Sequence, residues 1–156
     1  MTRFFLLTVL AIGAFIGAWA LLQHAALPAT AFSGGAATAA NPSFQYTNAS
    51  KDDIFVTSPE PGNSMTTTIL IQGYARGSWY DEAVFPIEIQ NGSSIVIGSA
   101  QGKAQSEWTT QNFVPFAAEI DLKALYNGPA TIILKKDNPS GKTSNDASLS
   151  FPVMIQ

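Results

Sequence analysis

From Ile54 onward the apolar residues of this chain recur at every second position, in short bursts separated by turn-forming residues. Few folds accept that pattern. Successive side chains of a strand point to opposite faces, so a period of two marks strands with one face buried and the other wet. The clearest burst sets Phe116, Ala118, Ile120 and Leu122 against Glu119, Asp121 and Lys123. Ile87 and Ile89 alternate with Glu88 and Gln90, and Phe151, Val153 and Ile155 alternate near the C-terminus. Ile54/Val56, Ile69/Ile71, Ile95/Ile97 and Ile132/Leu134 add four shorter pairs, which makes seven predicted strands.

Turn chemistry separates the bursts: Pro61-Gly62-Asn63, Asn91-Gly92, Asn127-Gly128-Pro129 and Asn138-Pro139-Ser140-Gly141. Asn91-Gly92 lies between two alternating runs and predicts a β-hairpin. Pro86, Pro115 and Pro152 lack the N–H that a ladder needs, so they belong at strand starts, bulges or edges. The fold class that follows is all-β. An immunoglobulin-like β-sandwich of about seven strands is expected over residues 52–156.

The N-terminal part reads differently. Nineteen residues without a charge, Phe4 to Leu22, follow Arg3. As a helix, such a run reaches roughly 28 Å, close to the ~30 Å of a bilayer's hydrocarbon core. Residues 1–23 are therefore expected to be a membrane anchor or a signal peptide. Arg3 puts the N-terminus on the cytoplasmic side and the rest outside it. Ala29-Thr30-Ala31 is a small-x-small site that a signal peptidase could accept, so a retained single-pass anchor and a cleaved, secreted form both stay open. Residues 24–51 are poor in charge and rich in Ala, Ser, Thr, Gly and Asn, and are read as a flexible linker.

Composition removes several function classes. Eight Lys/Arg against eleven Asp/Glu, with no basic cluster, argue against nucleic acid. Zero cysteines exclude disulfides, thiolate metal sites and thiol nucleophiles. The one histidine, His24, lies outside the predicted domain, so no Ser/His/Asp machinery and no histidine metal site is expected. Neither Asp81-Glu82 nor the Asp137-to-Asp146 loop has the alternating spacing of a calcium loop. No cofactor, no metal and no enzymatic activity are expected.

The order of certain residues carries a resemblance. Ser58-Pro59-Glu60-Pro61-Gly62 precedes a strand leading into Gly73-Tyr74-Ala75-Arg76-Gly77-Ser78-Trp79. Glu82-Ala83-Val84-Phe85-Pro86 follows, then Trp108, Phe116 and Lys136-Asp137-Asn138-Pro139-Ser140-Gly141. Residues 53 to 156 thereby resemble Gmad2, the immunoglobulin-like domain of bacterial spore germination proteins. The resemblance implies an extracytoplasmic sandwich in a bacterium, without catalytic residues to transfer.

Trp79, Tyr80, Asp81 and Glu82, with Trp108, are the candidate ligand-binding residues, because aromatic faces beside carboxylates suit sugar rings. The other reading makes both tryptophans plugs for the open ends of the sandwich, since large aromatics are highly buried on average. Gly73 and Gly77 are read as flanking a turn. The expected function is noncatalytic binding or structural support in the cell envelope. The expected partner is a cell-wall polymer or an envelope protein, with the membrane held through the N-terminal helix. A protein–protein assembly role, at the cell surface or in a germination apparatus, is the alternative.

Overall fold

The computed structural model describes residues 42–123 and 125–156. Among these residues nine strands form: β1 (Gln45–Thr47), β2 (Ile54–Ser58), β3 (Ser64–Met65), β4 (Thr68–Arg76), β5 (Val84–Asn91), β6 (Val96–Ala104), β7 (Phe113–Asp121), β8 (Gly128–Lys135) and β9 (Ser148–Ile155). Their hydrogen-bonded order is β1-β9-β8-β5-β6-β7-β4-β2, with β3 also beside β9. Every pairing is antiparallel except β3 with β9.

Strand β6 is where this path turns from one sheet to the other. It pairs with β5 from Val96 to Lys103, but with β7 only where Lys103 and Ala104 meet Ala117 and Phe116. The two halves then face each other across one core. Phe85 of β5 meets Phe116 of β7 edge-to-face, with ring centres 5.0 Å apart. Alternation supplies the filling: Ile69, Ile71, Ile87, Ile89, Ile120, Ile132 and Leu134 are all at least 99 % buried. Each such side chain contributes roughly 1.5–3 kcal/mol when removed from water. Among the described residues no polar or charged residue is buried in the core.

All seven predicted strands are present, and two short ones are added. Both additions cover the outer edge of β9, for a reason visible at Pro152. The carbonyl of Pro152 points to that edge and accepts from the Gly62 N–H at 2.7 Å. In an antiparallel strand the N–H of the same residue would point the same way, and proline has none. The edge therefore divides. β1 pairs with Ser148–Ser150 on one side of the proline, and β3 pairs with Met154–Ile155 on the other.

This changes the boundary expected at residue 51. Residues 42–51, read from sequence as the end of the linker, are built into the sandwich: β1 lies on β9, and Phe44 packs edge-to-face on Phe151 at 5.0 Å. The anchor or signal assigned to residues 1–23, and the linker up to residue 41, lie outside the described residues. Among the described residues no helix is long and apolar enough to cross a membrane.

The β5–β6 hairpin falls where Asn91-Gly92 places it, with a longer turn than the two-residue kind. The Asn91 N–H donates to the Ile95 carbonyl at 2.9 Å, and Ser94 rather than Gly92 has the positive φ of 61°. Asn91 Oδ1 accepts from the N–H groups of Ser93 and Ile95, both at 3.0 Å. The asparagine side chain, not the glycine, shapes the turn. Opposite Ile89 and Gln90 the register then shifts, with Ile97 as the extra residue of a bulge on β6; Ile97 is buried and Ile95 is left 62 % exposed.

Candidate binding surfaces

The segment from Gly73 to Val84 positions the residues singled out by sequence. Gly73 lies within β4 rather than at a turn, and neither it nor Gly77 has a positive φ. Both serve close approach. A Cβ at Gly73 would stand 2.8 Å from Phe116 Cζ, and one at Gly77 would run into the carbonyl oxygens of Trp108 and Thr110. The chain then makes a short 3-10 turn, Gly77–Trp79, and a tight reversal in which Asp81 and Val84 exchange two backbone hydrogen bonds of 3.0 Å. Glu82 and Ala83 occupy the centre of that reversal with φ of 49° and 66°, the twist that matches paired strands.

This geometry sends Trp79 and Tyr80 inward. They are 2 % and 5 % exposed, and both rings pack on Phe85, at 6.4 Å and 5.3 Å. The Tyr80 hydroxyl donates to the Val114 carbonyl at 3.0 Å, and burial pushes its phenol pKa well up. Neither ring offers a face to solvent, so neither can stack on a sugar from outside; both close the end of the core. Trp108 is half-buried, packed on the core cluster. Asp81 is half-buried and Glu82 exposed. The five residues do not form one surface.

Two other surfaces do. The first is a two-lobed polar cleft. An inner lobe of about 200 Å³ is lined by Asp53, Trp79, Lys136, Ser144 and Asn145 among others. An outer lobe of about 380 Å³ lies over Pro86, Ile133, Lys135 and Ser148. Asn48, Lys136, Asp146 and Ala147 belong to both lobes. Asn48 Nδ2 donates to the Asp146 carbonyl at 3.0 Å, and the Asp137 N–H donates to the Trp79 carbonyl at 3.0 Å. Those two bonds tie the β1–β2 turn, the 3-10 turn and the β8–β9 loop together. Within that loop Asn138 Nδ2 donates to Asp146 Oδ1 at 2.7 Å, so the Asp137-to-Asp146 segment is closed by its own amides. Among the described residues no three His, Cys, Asp or Glu side chains gather to hold a metal ion.

The second surface is the outer face of the β7-β4-β2 sheet. Phe55 stacks on Tyr74 at 5.2 Å and meets Phe113 edge-on at 5.2 Å. The Arg76 guanidinium covers the Phe113 ring at 4.2 Å, held there by hydrogen bonds to the carbonyls of Asp52 and Gln111. Tyr74 is 40 % and Leu70 48 % exposed on the same face of β4. Sequence reasoning missed this patch because it followed the buried partners, Ile54, Val56 and Ile71. The signal that could have found it is the aromatic at each intervening position, Phe55 and Tyr74, where a wet sheet face is normally polar.

Fold and surfaces together define an immunoglobulin-like β-sandwich with an aromatic outer face and a polar end cleft. Comparison with protein families matches residues 53–143 to Gmad2, the immunoglobulin-like domain of bacterial spore germination, and the chain belongs to that family. No curated protein matches it.

Proposed function

We propose that the chain is a noncatalytic binding module held outside the cytoplasmic membrane of a bacterium, and that it docks an envelope protein through the outer face of its β7-β4-β2 sheet. One observation carries this reading: the aromatic cluster of Phe55, Tyr74 and Phe113 on the wet side of a sheet, with exposed Leu70 further along the same face of β4. Aromatic clusters on a wet sheet face mark interaction sites, and aromatic residues are enriched at the centres of protein interfaces. Family membership supports an envelope setting, and the apolar run Phe4 to Leu22 supports a membrane tether.

Crosslinking in intact cells tests the proposal. A photoreactive residue at position 74 is expected to capture a discrete neighbour. One at Thr131, on the opposite sheet, is not. Adding Leu70→Glu should abolish the adduct, while stability falls by no more than about 1 kcal/mol, because the side chain is half exposed and the new carboxylate stands across from Glu119 on β7. An adduct that survives Leu70→Glu, or that forms equally from Thr131, refutes docking through this face.

A further inference from the structure

The two ends of the sandwich differ in charge. At one of them the β5–β6 turn and the β7–β8 loop lie side by side: the Gly92 N–H donates to Tyr126 Oη at 3.4 Å, and the Lys123 N–H donates to the Ile97 carbonyl at 2.9 Å. Ile95, Val96 and Leu125 stand out from these two segments, 62 %, 39 % and 95 % exposed. Single apolar side chains on a surface mean little, and it is the surroundings of these three that are informative. From Ser64 to Thr68, from Asn91 to Val96 and from Asp121 to Pro129, the charged side chains are Asp121 and Lys123. Asp121 Oδ1 already accepts from the Thr68 hydroxyl at 2.7 Å. The opposite end, built from the β1–β2, β4–β5 and β8–β9 connections, carries the acidic residues Asp52, Asp53, Asp81, Glu82, Asp137 and Asp146.

The direction of β1 connects the apolar end to the N-terminal part of the chain. Gln45 lies opposite Ser150 and Thr47 opposite Ser148, so the residues before Gln45 head along β9 toward Ile155. Pro42 stands beside Gly62, whose N–H is bound to the Pro152 carbonyl. Ile155 pairs with Gly128, next to the β7–β8 loop, so Pro42 lies about 10 Å of strand short of the apolar end. Residues 23–41 are all that separates Pro42 from the uncharged run Phe4 to Leu22. A lipid surface suits this end better than a protein partner. Three side chains on loop tips bury far less than the ~1,000 Å² that a specific protein interface needs. A short tether, by contrast, holds a module at an effective concentration on the order of millimolar, where weak insertion is enough. Lys123 has no carboxylate within ion-pair distance among the described residues, and its ammonium matches an anionic headgroup. The ring of Tyr126, apolar with a polar tip, matches the same level of a bilayer.

We infer that this end of the sandwich rests on the membrane, with Ile95, Val96 and Leu125 dipping into the boundary between headgroups and acyl chains and the acidic end turned away from the lipid. The inference rests on the membrane tether proposed above. The full chain tests both, because it has no cysteine and Leu125→Cys or Ser106→Cys, at the apolar and acidic ends, each gives a single site for an environment-sensitive fluorophore. Both positions are exposed, so neither label disturbs the core. The chain is reconstituted in vesicles of phosphatidylethanolamine and phosphatidylglycerol, with and without a phosphatidylcholine spin-labelled high on its acyl chain. The label at 125 is expected to shift to the blue and to be quenched by the spin-labelled lipid, and the label at 106 to do neither. Ile95→Glu should abolish the quenching at 125 while the chain still floats with the vesicles. A chain that floats but shows no quenching at 125, equal quenching at 106, or quenching that survives Ile95→Glu overturns the inference and leaves the tether standing. A blue shift at 125 without quenching assigns this end to a protein neighbour or a second copy and overturns it equally. A chain that does not float refutes the tether and the inference together.

Discussion

Ala83 sits in the left-handed region at φ 66°, beside Glu82 at φ 49°, with a Cβ that opposes that conformation. The left-handed form costs an L-residue roughly 1–2 kcal/mol, and glycine is exempt. Ala83→Gly is therefore expected to stabilise the fold by about 0.5–1 kcal/mol after the added unfolded-state entropy is subtracted. Urea melts check this, and a lowered midpoint would show the turn to be unstrained. Phe85 stands at the opposite extreme, fully buried and touched by the rings of Trp79, Tyr80 and Phe116. Phe85→Ala should cost about 3–5 kcal/mol in the same experiment. Trp79 illustrates how far one residue can be read. Residue type and neighbours allowed either a plug or a sugar platform. Only the packing against Phe85 decides that the ring faces inward, while leaving Nε1 unpaired.

At the scale of elements, β1 and β3 were not legible. Gln45-Tyr46-Thr47 and Ser64-Met65 carry no alternating apolar face, because their hydrogen-bond partner is the edge of β9. Their existence depends on a strand about 100 residues away in the case of β1, as Gln45 pairs with Ser150. Tyr46 reports on that docking, since partial burial raises its phenol pKa. Phe44→Ala removes the contact with Phe151, and the Tyr46 titration is expected to fall back toward that of an exposed tyrosine. An unchanged titration would mean that β1 holds without the Phe44 anchor. Between β5 and β8, Lys135 Nζ meets Glu88 Oε1 at 2.7 Å. The hydrogen bond from Lys135 is the main cause of the lowered Glu88 pKa. A depressed folded-state pKa adds stability above the unfolded carboxylate pKa, and that increment disappears as pH falls through the folded value. Glu88→Gln should therefore narrow the gap between neutral and acidic stability, by less than about 1 kcal/mol because the pair is partly exposed. Equal acid sensitivity in both proteins would assign the loss to other carboxylates.

At the scale of the whole sandwich, one open sheet path turns at β6, so its two halves share a core and should unfold as one unit. Tryptophan emission can report on its ends. In a Trp19→Phe chain, acrylamide is expected to quench half-buried Trp108 and spare Trp79, with the quenched component lost in Trp108→Phe. Efficient quenching of Trp79 would contradict the packed end. What the sequence determined by itself was the all-β class, the seven long strands and most inward-facing residues, because a period of two and turn chemistry are local properties of the chain. The order of the turns from Ser58 to Gly141 was likewise enough to indicate the family, since that pattern also lies along the chain. Tertiary structure alone decided the divided edge of β9, the inward turn of Trp79 and Tyr80, the aromatic face and the cleft. Each of these depends on residues that meet only when distant segments pair. Phe55 gains its meaning from Tyr74 and Phe113, and Asn48 gains its meaning from Asp146.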